Sequence, residues 1–454
     1  MARSVPCLSR ARSAMSASLL LVAMLAAVAA PAENARPNVV LIVADDLGWA
    51  DVGYHNPEIR SPNIDRLVKT GIELDLHYVQ PQCTPTRVAL MTGRYPSRFG
   101  RHCTQASNEK ALPDGTPTLS SLLKQAGYDT ALVGKWHLGS KPEWGPNHFG
   151  FDYSYGCLAG ATGIYDHRYR LTRPEFTRTW HRNEEFIDEE GHVTDLEARE
   201  AVAWIEKQRE EPFFLYLPFQ AVHVPLVEPD RYLEANAHID YADRRLFAAA
   251  VTHLDEAIGK VVDALDRTGQ RENTLIIFTS DNGGLHNHRG DTYPPPDPKL
   301  ENFSSNLPLR GQKSQTYEGG MRVPAFANWP GYLKPGVRDM PMHAVDWLPT
   351  ILGLIDIKTE DAWHLDGQNV WPALAAYESN SDPRTLYWVW GARRQRVALR
   401  HGGWKILRPG PEADFELYNV AKDPYEKTDL SDSHPEQLAE MKKRFAAEKA
   451  KDAL

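Results

Sequence analysis

The residues best equipped for chemistry begin with Cys83, in the stretch Gln82-Cys83-Thr84-Pro85-Thr86-Arg87. A proline two residues after a cysteine suits the first turn of a helix, where its missing N–H costs nothing. Val88 to Met91 carry that helix on, and Gly93 can end it. Cys83 then stands at a helix N-terminus, where free backbone N–H groups and the positive dipole end favour an anion. Arg87 follows four residues later and so shares a helix face with Cys83. A nucleophile at an anion-binding helix end, backed by a guanidinium, suits a tetrahedral oxyanion. Taken alone, a cysteine in such a stretch is more often an ordinary core residue.

Two acidic clusters end apolar runs. Pro37 to Val43 is continuous, β-branched and apolar, which reads as a strand buried on both faces of a parallel sheet. It stops at Asp45-Asp46. Asn273 to Thr279 repeats the pattern and stops at Asp281-Asn282-Gly283-Gly284. Open α/β sheets bind ligands at the carboxyl ends of their strands, although such residues also end strands as plain turns. Asp45, Asp46, Asp281 and Asn282 form an all-oxygen set, the preference of Ca²⁺ or Mg²⁺ and not of zinc.

Three further stretches carry cations or imidazoles. Thr130 to Val133 reads as a strand running into Gly134-Lys135-Trp136-His137. An extended backbone there puts Lys135 and His137 on one face, a pair able to hold an anion and exchange a proton with it. His223 follows the strand Phe213 to Leu217, and Lys313 lies in Leu309-Arg310-Gly311-Gln312-Lys313. A lone histidine after a strand, or a lysine in a loop, is by itself usually structural or solvated.

The positioning elements follow from periodicity. Ser61-Pro62 opens a helix that stops at Gly71, and Thr116-Pro117 opens another with Leu119, Leu122 and Leu123 inward. Thr194-Asp195-Leu196-Glu197 has capping-box form and begins a helix through Ile205. Leu246, Ala250, Leu254, Ile258, Val261 and Leu265 mark the core stripe of a long amphipathic helix. Leu285 to Leu307, with His286, His288 and three consecutive prolines, is a loop of the kind that borders binding sites. Beyond about Ala376, four short strands (Leu386 to Trp390, Arg396 to Arg400, Trp404 to Leu407, Phe415 to Tyr418) and a charged helix over Pro435 to Ala450 form a small antiparallel sheet with one helix packed on it.

A chain of 454 residues with 42% hydrophobic and 24% charged residues is globular. Its net charge of −9 offers no basic field for nucleic acid. Arg3, Arg10 and Arg12, the apolar run Leu19 to Ala30 and the small residues after it read as a signal peptide over residues 1–32. The run is too short for a comfortable membrane span, so the mature protein is expected to be exported, with no stable membrane association. Cys7 leaves with that segment; Cys103 and Cys157 either pair or remain buried thiols, and no Cys-x-x-Cys is present for zinc.

Cys83-x-Pro85-x-Arg87, continued by Thr92-Gly93-Arg94, resembles the signature of the sulfatase family, with Thr86 where the family most often has Ser. Gly134-Lys135-Trp136-His137-Leu138-Gly139, Val222-His223-Val224-Pro225 and Leu309-Arg310-Gly311-Gln312-Lys313 with Glu318-Gly319-Gly320 extend the resemblance over nearly all the mature chain. It is most similar to the arylsulfatase B type, which acts on N-acetylgalactosamine 4-sulfate. The resemblance implies an alkaline-phosphatase-like α/β sandwich with a large, mostly parallel central sheet, a catalytic domain over residues 33–375 and a small C-terminal subdomain over 376–454. It implies oxidation of Cys83 to formylglycine (3-oxoalanine) by a maturation enzyme. One divalent cation, Ca²⁺ or Mg²⁺, would then be held by Asp45, Asp46, Asp281, Asn282 and the modified Cys83. Arg87 would hold the aldehyde hydrate, Lys135 and Lys313 the sulfate, His223 the leaving alcohol, and His137 would take the proton that releases sulfate. The substrate implied is a sulfated small molecule or glycan, in the periplasm, outside the cell or in a lysosome. Phosphate- or phosphonate-ester hydrolysis on the same constellation, and a non-catalytic sulfoglycan-binding protein, are the alternatives.

Overall fold

β-Branched apolar runs with no polar alternation must be covered on both faces, and the computed structural model shows how. Apart from Met1 and Ala2, it describes residues 36–169, 174–207, 209–290, 292–293, 295–376 and 383–453, so the expected signal peptide lies outside the described residues. The central sheet is built from β1 (Asn38–Ala44), β2 (Ile72–Leu74), β3 (Asp129–Lys135), β4 (Tyr153–Cys157), β5 (Trp180–Arg182), β6 (Glu185–Phe186), β7 (Phe213–Pro218), β8 (Thr274–Ser280), β9 (Ala325–Asn328) and β10 (Gly336–Arg338). These ten strands lie in the order β10-β2-β9-β8-β1-β7-β3-β4-β5-β6. The five at the centre, β8-β1-β7-β3-β4, are parallel, and β1 is paired on both sides, Val39 with Phe214 and with Leu275.

All seven residues of β1 are buried. Val39, Leu41 and Val43 face one core, and Val40, Ile42 and Ala44 the other. The first core is covered by α2 (Cys83–Thr92), α3 (Leu119–Gln125) and α6 (Trp347–Leu354); the second by α1 (Pro62–Thr70), α4 (Val193–Ile205) and the long α5 (Ala242–Arg267). The helix α2 is buried along its whole length, and Gly93 closes it in the left-handed conformation (φ 65°), which glycine adopts without penalty.

The C-terminal strands β11 (Thr385–Trp390), β12 (Arg396–His401), β13 (Trp404–Arg408) and β14 (Glu416–Asn419) form a sequential antiparallel sheet. Its alternation sorts side chains by face. Tyr387, Leu399 and Ile406 pack with Met441 and Phe445 of α7 (Pro435–Lys449), whereas Leu386, Trp388, Ala398 and Leu407 pack on Tyr78 and Met321. Buried Lys405 ties the sheet down, pairing with Glu318 at 2.8 Å and Glu426 at 2.7 Å. Residues 36–454 form one compact unit.

Two helix starts differ from the sequence reading. α3 begins at Leu119, because Thr118 caps it reciprocally with Ser121. α4 is capped by the His192 ring, which accepts from Thr194 N at 3.2 Å, and not by Thr194. Glu197 has turned inward instead, accepting Gln220 N at 3.1 Å. Cys103 and Cys157 are buried free thiols, and the segment 285–307 contains a short hairpin pairing Asn287 with Glu301.

Candidate active site

The carboxyl ends of β1 and β8 lie side by side, since Ala44 pairs with Ser280. That register alone brings Asp45 and Asp46 beside Asp281 and Asn282. Asp281 N donates to Ala44 O (3.0 Å), Leu47 N to Ser280 Oγ (3.0 Å) and Asp46 N to Asp281 Oδ1 (3.3 Å). Asp46 takes the left-handed conformation (φ 65°), which turns the chain sharply at the strand end. Asn282 Nδ2 donates to Asp46 Oδ1 at 2.7 Å. Gly283 lets the next segment close over the site: a Cβ there would lie 1.8 Å from Gly319 O.

Cys83 is the first residue of α2, beneath this cluster and 2% exposed. Arg87 points from the same face to the carboxylates. Its Nη2 donates to Asp281 Oδ2 at 2.8 Å, its Nη1 to Lys135 O at 2.7 Å, and Asp45 Oδ2 lies 3.7 Å away. Lys135, the last residue of β3, is buried and pairs with Asp45 Oδ2. Lys313 reaches Asp46 from the opposite side, with Nζ 2.6 Å from Oδ1 and 2.7 Å from Oδ2. His223 directs Nε2 to Asp46 Oδ2 at 3.6 Å, while its Nδ1 lies 2.6 Å from Val224 O. A carbonyl can only accept, so the proton sits on Nδ1 and Nε2 is the basic nitrogen.

His137 joins the group in a way the sequence reading missed. The strand ends at Lys135 and His137 has φ 57°, so the two side chains are not brought together by extended alternation. Thr84 Oγ1 instead donates to His137 O at 3.1 Å, anchoring that turn to the residue after Cys83. Among the described residues, His137 Nδ1 is buried without a hydrogen-bond partner.

Burial and neighbouring charge tune these groups. Burial, reinforced by Asp281, pushes the Asp45 carboxyl up to about 7. Burial would raise Asp46 too, but the Lys313 ammonium and the His223 ring hold it below the usual carboxylate range. Burial would lower both lysines, and Asp45 and Asp46 override it, so Lys135 and Lys313 stay charged. Both histidines are pushed well below their ordinary value, by burial first and, for His137, then by Lys135. They are neutral at pH 7. Burial also raises the Cys83 thiol, so the unmodified residue is a poor thiolate nucleophile here.

The donor set fits a hard divalent cation. Among the described residues, Asp45 Oδ1 and Asn282 Oδ1 are buried acceptors with no hydrogen-bond partner, an arrangement costly unless another positive group faces them. They belong to the all-oxygen set expected for Ca²⁺ or Mg²⁺. The structure adds His223 beside Asp45 and Asp46, with ligand atoms within 4.8 Å of one another.

A second group with comparable spacing, His192, Glu228 and His253, does not fit a metal. His192 Nδ1 accepts from Thr194 N, so the proton sits on Nε2, 3.0 Å from Val227 O, and no lone pair remains. Other neighbours carried no sequence signal for the site. Glu197, its carboxyl pushed up to about 8 by burial, lies within the field of Asp45, Arg87 and Lys135. The Tyr293 ring stands edge-on to His223, with centroids 6.2 Å apart. In the loop read as bordering the site, His288 Nε2 meets Asp297 Oδ1 at 2.7 Å, and His286 Nε2 meets Asn306 Nδ2 at 3.3 Å.

A parallel sheet with acids at its strand ends, facing a buried helix N-terminus and two lysines, defines a hydrolase for anionic tetrahedral esters. Comparison with known proteins narrows the class. The Sulfatase family profile matches residues 37–357. Arylsulfatase J of Mus musculus is 32% identical over 473 residues, covering 92% of this chain and 76% of that protein. N-acetylgalactosamine-6-sulfatase of Rattus norvegicus is 34% identical over 386 residues, covering 80% and 70%. Among solved structures, Ps i-CgsB in complex with k-i-k-neocarrahexaose superposes with a TM-score of 0.82 at 35% identity, over 92% of this chain and 94% of that one. The PsFucS1 sulfatase from Pseudoalteromonas sp. superposes with 0.74 at 26% identity, over 92% and 90%. The chain belongs to the sulfatase family, with its alkaline-phosphatase-like sandwich, and is a sulfuric ester hydrolase. Among the described residues no helix is long and apolar enough to cross a membrane.

Proposed function

We propose that the chain is an exported sulfatase that removes a sulfate ester from a sulfated sugar or glycan, using formylglycine made from Cys83 and one divalent cation, Ca²⁺ in the first instance. A maturation enzyme would act on Cys83-x-Pro85-x-Arg87. Residues 33–375 would form the catalytic domain and residues 376–454 the smaller subdomain. The observation that carries this reading is the convergence of Asp45, Asp46, Asp281 and Asn282 at one end of the sheet, with two buried oxygens left unpaired, beside Cys83 and Arg87. The Ps i-CgsB complex and the N-acetylgalactosamine-6-sulfatase relatives support a sugar as the substrate.

The hydrated aldehyde supplies an oxygen nucleophile and a second hydroxyl through which sulfate can leave. A cation held by Asp45, Asp46, Asp281 and Asn282 would supply Lewis acidity that lowers the pKa of the attacking hydroxyl. The chain's own groups do the rest. Arg87 orients the side chain at 83 against Asp281. Lys135 and Lys313, both cationic, steady the negative oxygens of the ester, where fixed charge acts most strongly. His223 Nε2, unprotonated at rest, would take the proton released by the attacking hydroxyl and deliver it to the departing alcohol. His137, neutral and with Nδ1 unpartnered, is suited to accept the proton that accompanies sulfate release.

Two measurements test this. Peptide mass spectrometry of the chain co-expressed with a maturation enzyme should find residue 83 about 18 Da below cysteine. The matured protein should hydrolyse aryl and sugar sulfates and lose activity on chelation. Faster turnover of phosphonate or phosphate esters would move the assignment to those substrates. An unmodified Cys83 with sulfoglycan binding and no turnover would make the protein a binding module.

A further inference from the structure

The turn joining β11 to β12, Gly391-Ala392-Arg393-Arg394-Gln395-Arg396, carries three arginines in a chain whose net charge is −9. Their hydrogen bonds go to neutral carbonyls. Arg396 Nε donates to Pro409 O at 3.0 Å and its Nη1 to Ser314 O at 2.7 Å, and Arg394 donates to Ala453 O. Among the described residues no carboxylate pairs with Arg393, Arg394 or Arg396; the nearby Asp452 is taken by Arg98 at 2.6 Å. Arg396 is half-buried with its guanidinium carbon 4.6 Å from the Trp390 ring centroid, a contact that fixes the group without neutralising it.

This positive turn is bolted to both sides of the active site. Trp390 Nε1 donates to Gln82 Oε1 at 2.8 Å, one residue before Cys83, and Gly391 N donates to Thr104 O at 2.8 Å. The Arg396 bond to Ser314 falls one residue after Lys313, and Ser314 N returns to Pro81 O at 2.7 Å. A guanidinium fixed by these two carbonyls, with no partner for Nη2 among the described residues, can offer Nη2 to an oxygen of a sulfate. We propose that the 390–396 turn binds a second anionic group of the glycan, a sulfate on a sugar neighbouring the one whose ester is cleaved, with Arg396 as the first contact and Arg393 and Arg394 extending the positive rim. The substrate class is therefore a polysulfated glycan. This rests on the sulfatase reading for the position of the reacting ester.

The test uses the full chain with Cys83→Ala, so that ligands are bound and not consumed. Calorimetry would compare two galactan oligosaccharides of equal length carrying one or two sulfates per disaccharide. Adding Arg396→Gln should weaken the two-sulfate ligand tenfold or more and the one-sulfate ligand less than twofold, while Arg396→Lys should retain the preference. The paired change Arg393→Gln, Arg394→Gln, at one exposed and one half-buried position away from the Ser314 contact, should weaken only the two-sulfate ligand, about threefold. Equal losses on both ligands would show that Arg396 merely supports the Ser314 segment, and would overturn the proposal. So would equal binding of both ligands, or none, before the arginines are changed. Turnover of sulfate esters by the matured wild-type protein is scored separately. Its absence would count against the hydrolase reading and leave the binding comparison to be judged alone.

Discussion

Replacing Arg87 by methionine probes the charge balance on which the site depends. The guanidinium is fully buried and faces two buried carboxylates, Asp281 at 2.8 Å and Asp45 at 3.7 Å. Methionine fills much of the volume and none of the charge. Removing one partner of a buried ion pair costs about 3–5 kcal/mol, because the other charge stays desolvated. With an unfolding entropy of about 2.1 cal/mol/K per residue, a unit of roughly 420 residues loses about 3–6 °C in Tm for that change. Asp281 and Asp45 are also proposed cation ligands, so the deficit should be largest in chelator and smaller with millimolar Ca²⁺. Thermal scans of wild type and Arg87→Met, at one scan rate with EGTA and with Ca²⁺, provide the four midpoints. A fall below about 1 °C in EGTA would refute the claim that Arg87 balances these carboxylates. A deficit unchanged by Ca²⁺ would refute the claim that a cation shares them.

Other perturbations address separate links. Lys313→Met should lower kcat on 4-nitrophenyl sulfate by about 10²–10³, the usual cost of losing one preorganised group facing developing charge; initial rates of matured protein measure it. Gly283→Ala forces a Cβ against Gly319 O and should destabilise the protein by about 1–3 kcal/mol, read as a lower Tm together with weaker Ca²⁺ retention. Asp255 receives Ile64 N at 2.8 Å at the start of α1, and burial pushes its carboxyl up to about 6 against 3.8 when unfolded. A raised carboxyl gives stability that is complete below pH 3.8 and lost as pH rises through 6. Wild type should therefore lose about 2 kcal/mol more than Asp255→Asn between pH 4.5 and 7. Parallel slopes in denaturant unfolding at the two pH values would contradict that.

Much of the molecule is written locally. The apolar runs at 37–43 and 273–279, the acids that end them, the proline in the first turn of α2 and the glycine that closes it each follow from a few neighbouring residues, and the structure places them as read. The alternating strands after residue 383 are legible for the same reason, since a period of two sorts side chains by face without reference to distant parts. The local rules misled where a residue had a better distant partner. Glu197 looked like the closing member of a capping box, yet its carboxylate serves Gln220 N, and the cap fell to His192. His137 looked extended, yet the tie to Thr84 bends the chain into the left-handed region.

The convergence itself belongs to the tertiary structure. Asp46 and Asp281 are separated by 235 residues and meet because β8 lies in parallel register against β1. The same holds for Arg396, which reaches Ser314 only because the C-terminal sheet docks on Tyr78 and Met321. The sequence alone determined which residue types were available and at which strand and helix ends they stand, because periodicity and turn chemistry act over a few residues. Only the packed sheet decided which of them touch, because register and docking are set by burying apolar faces that lie hundreds of residues apart.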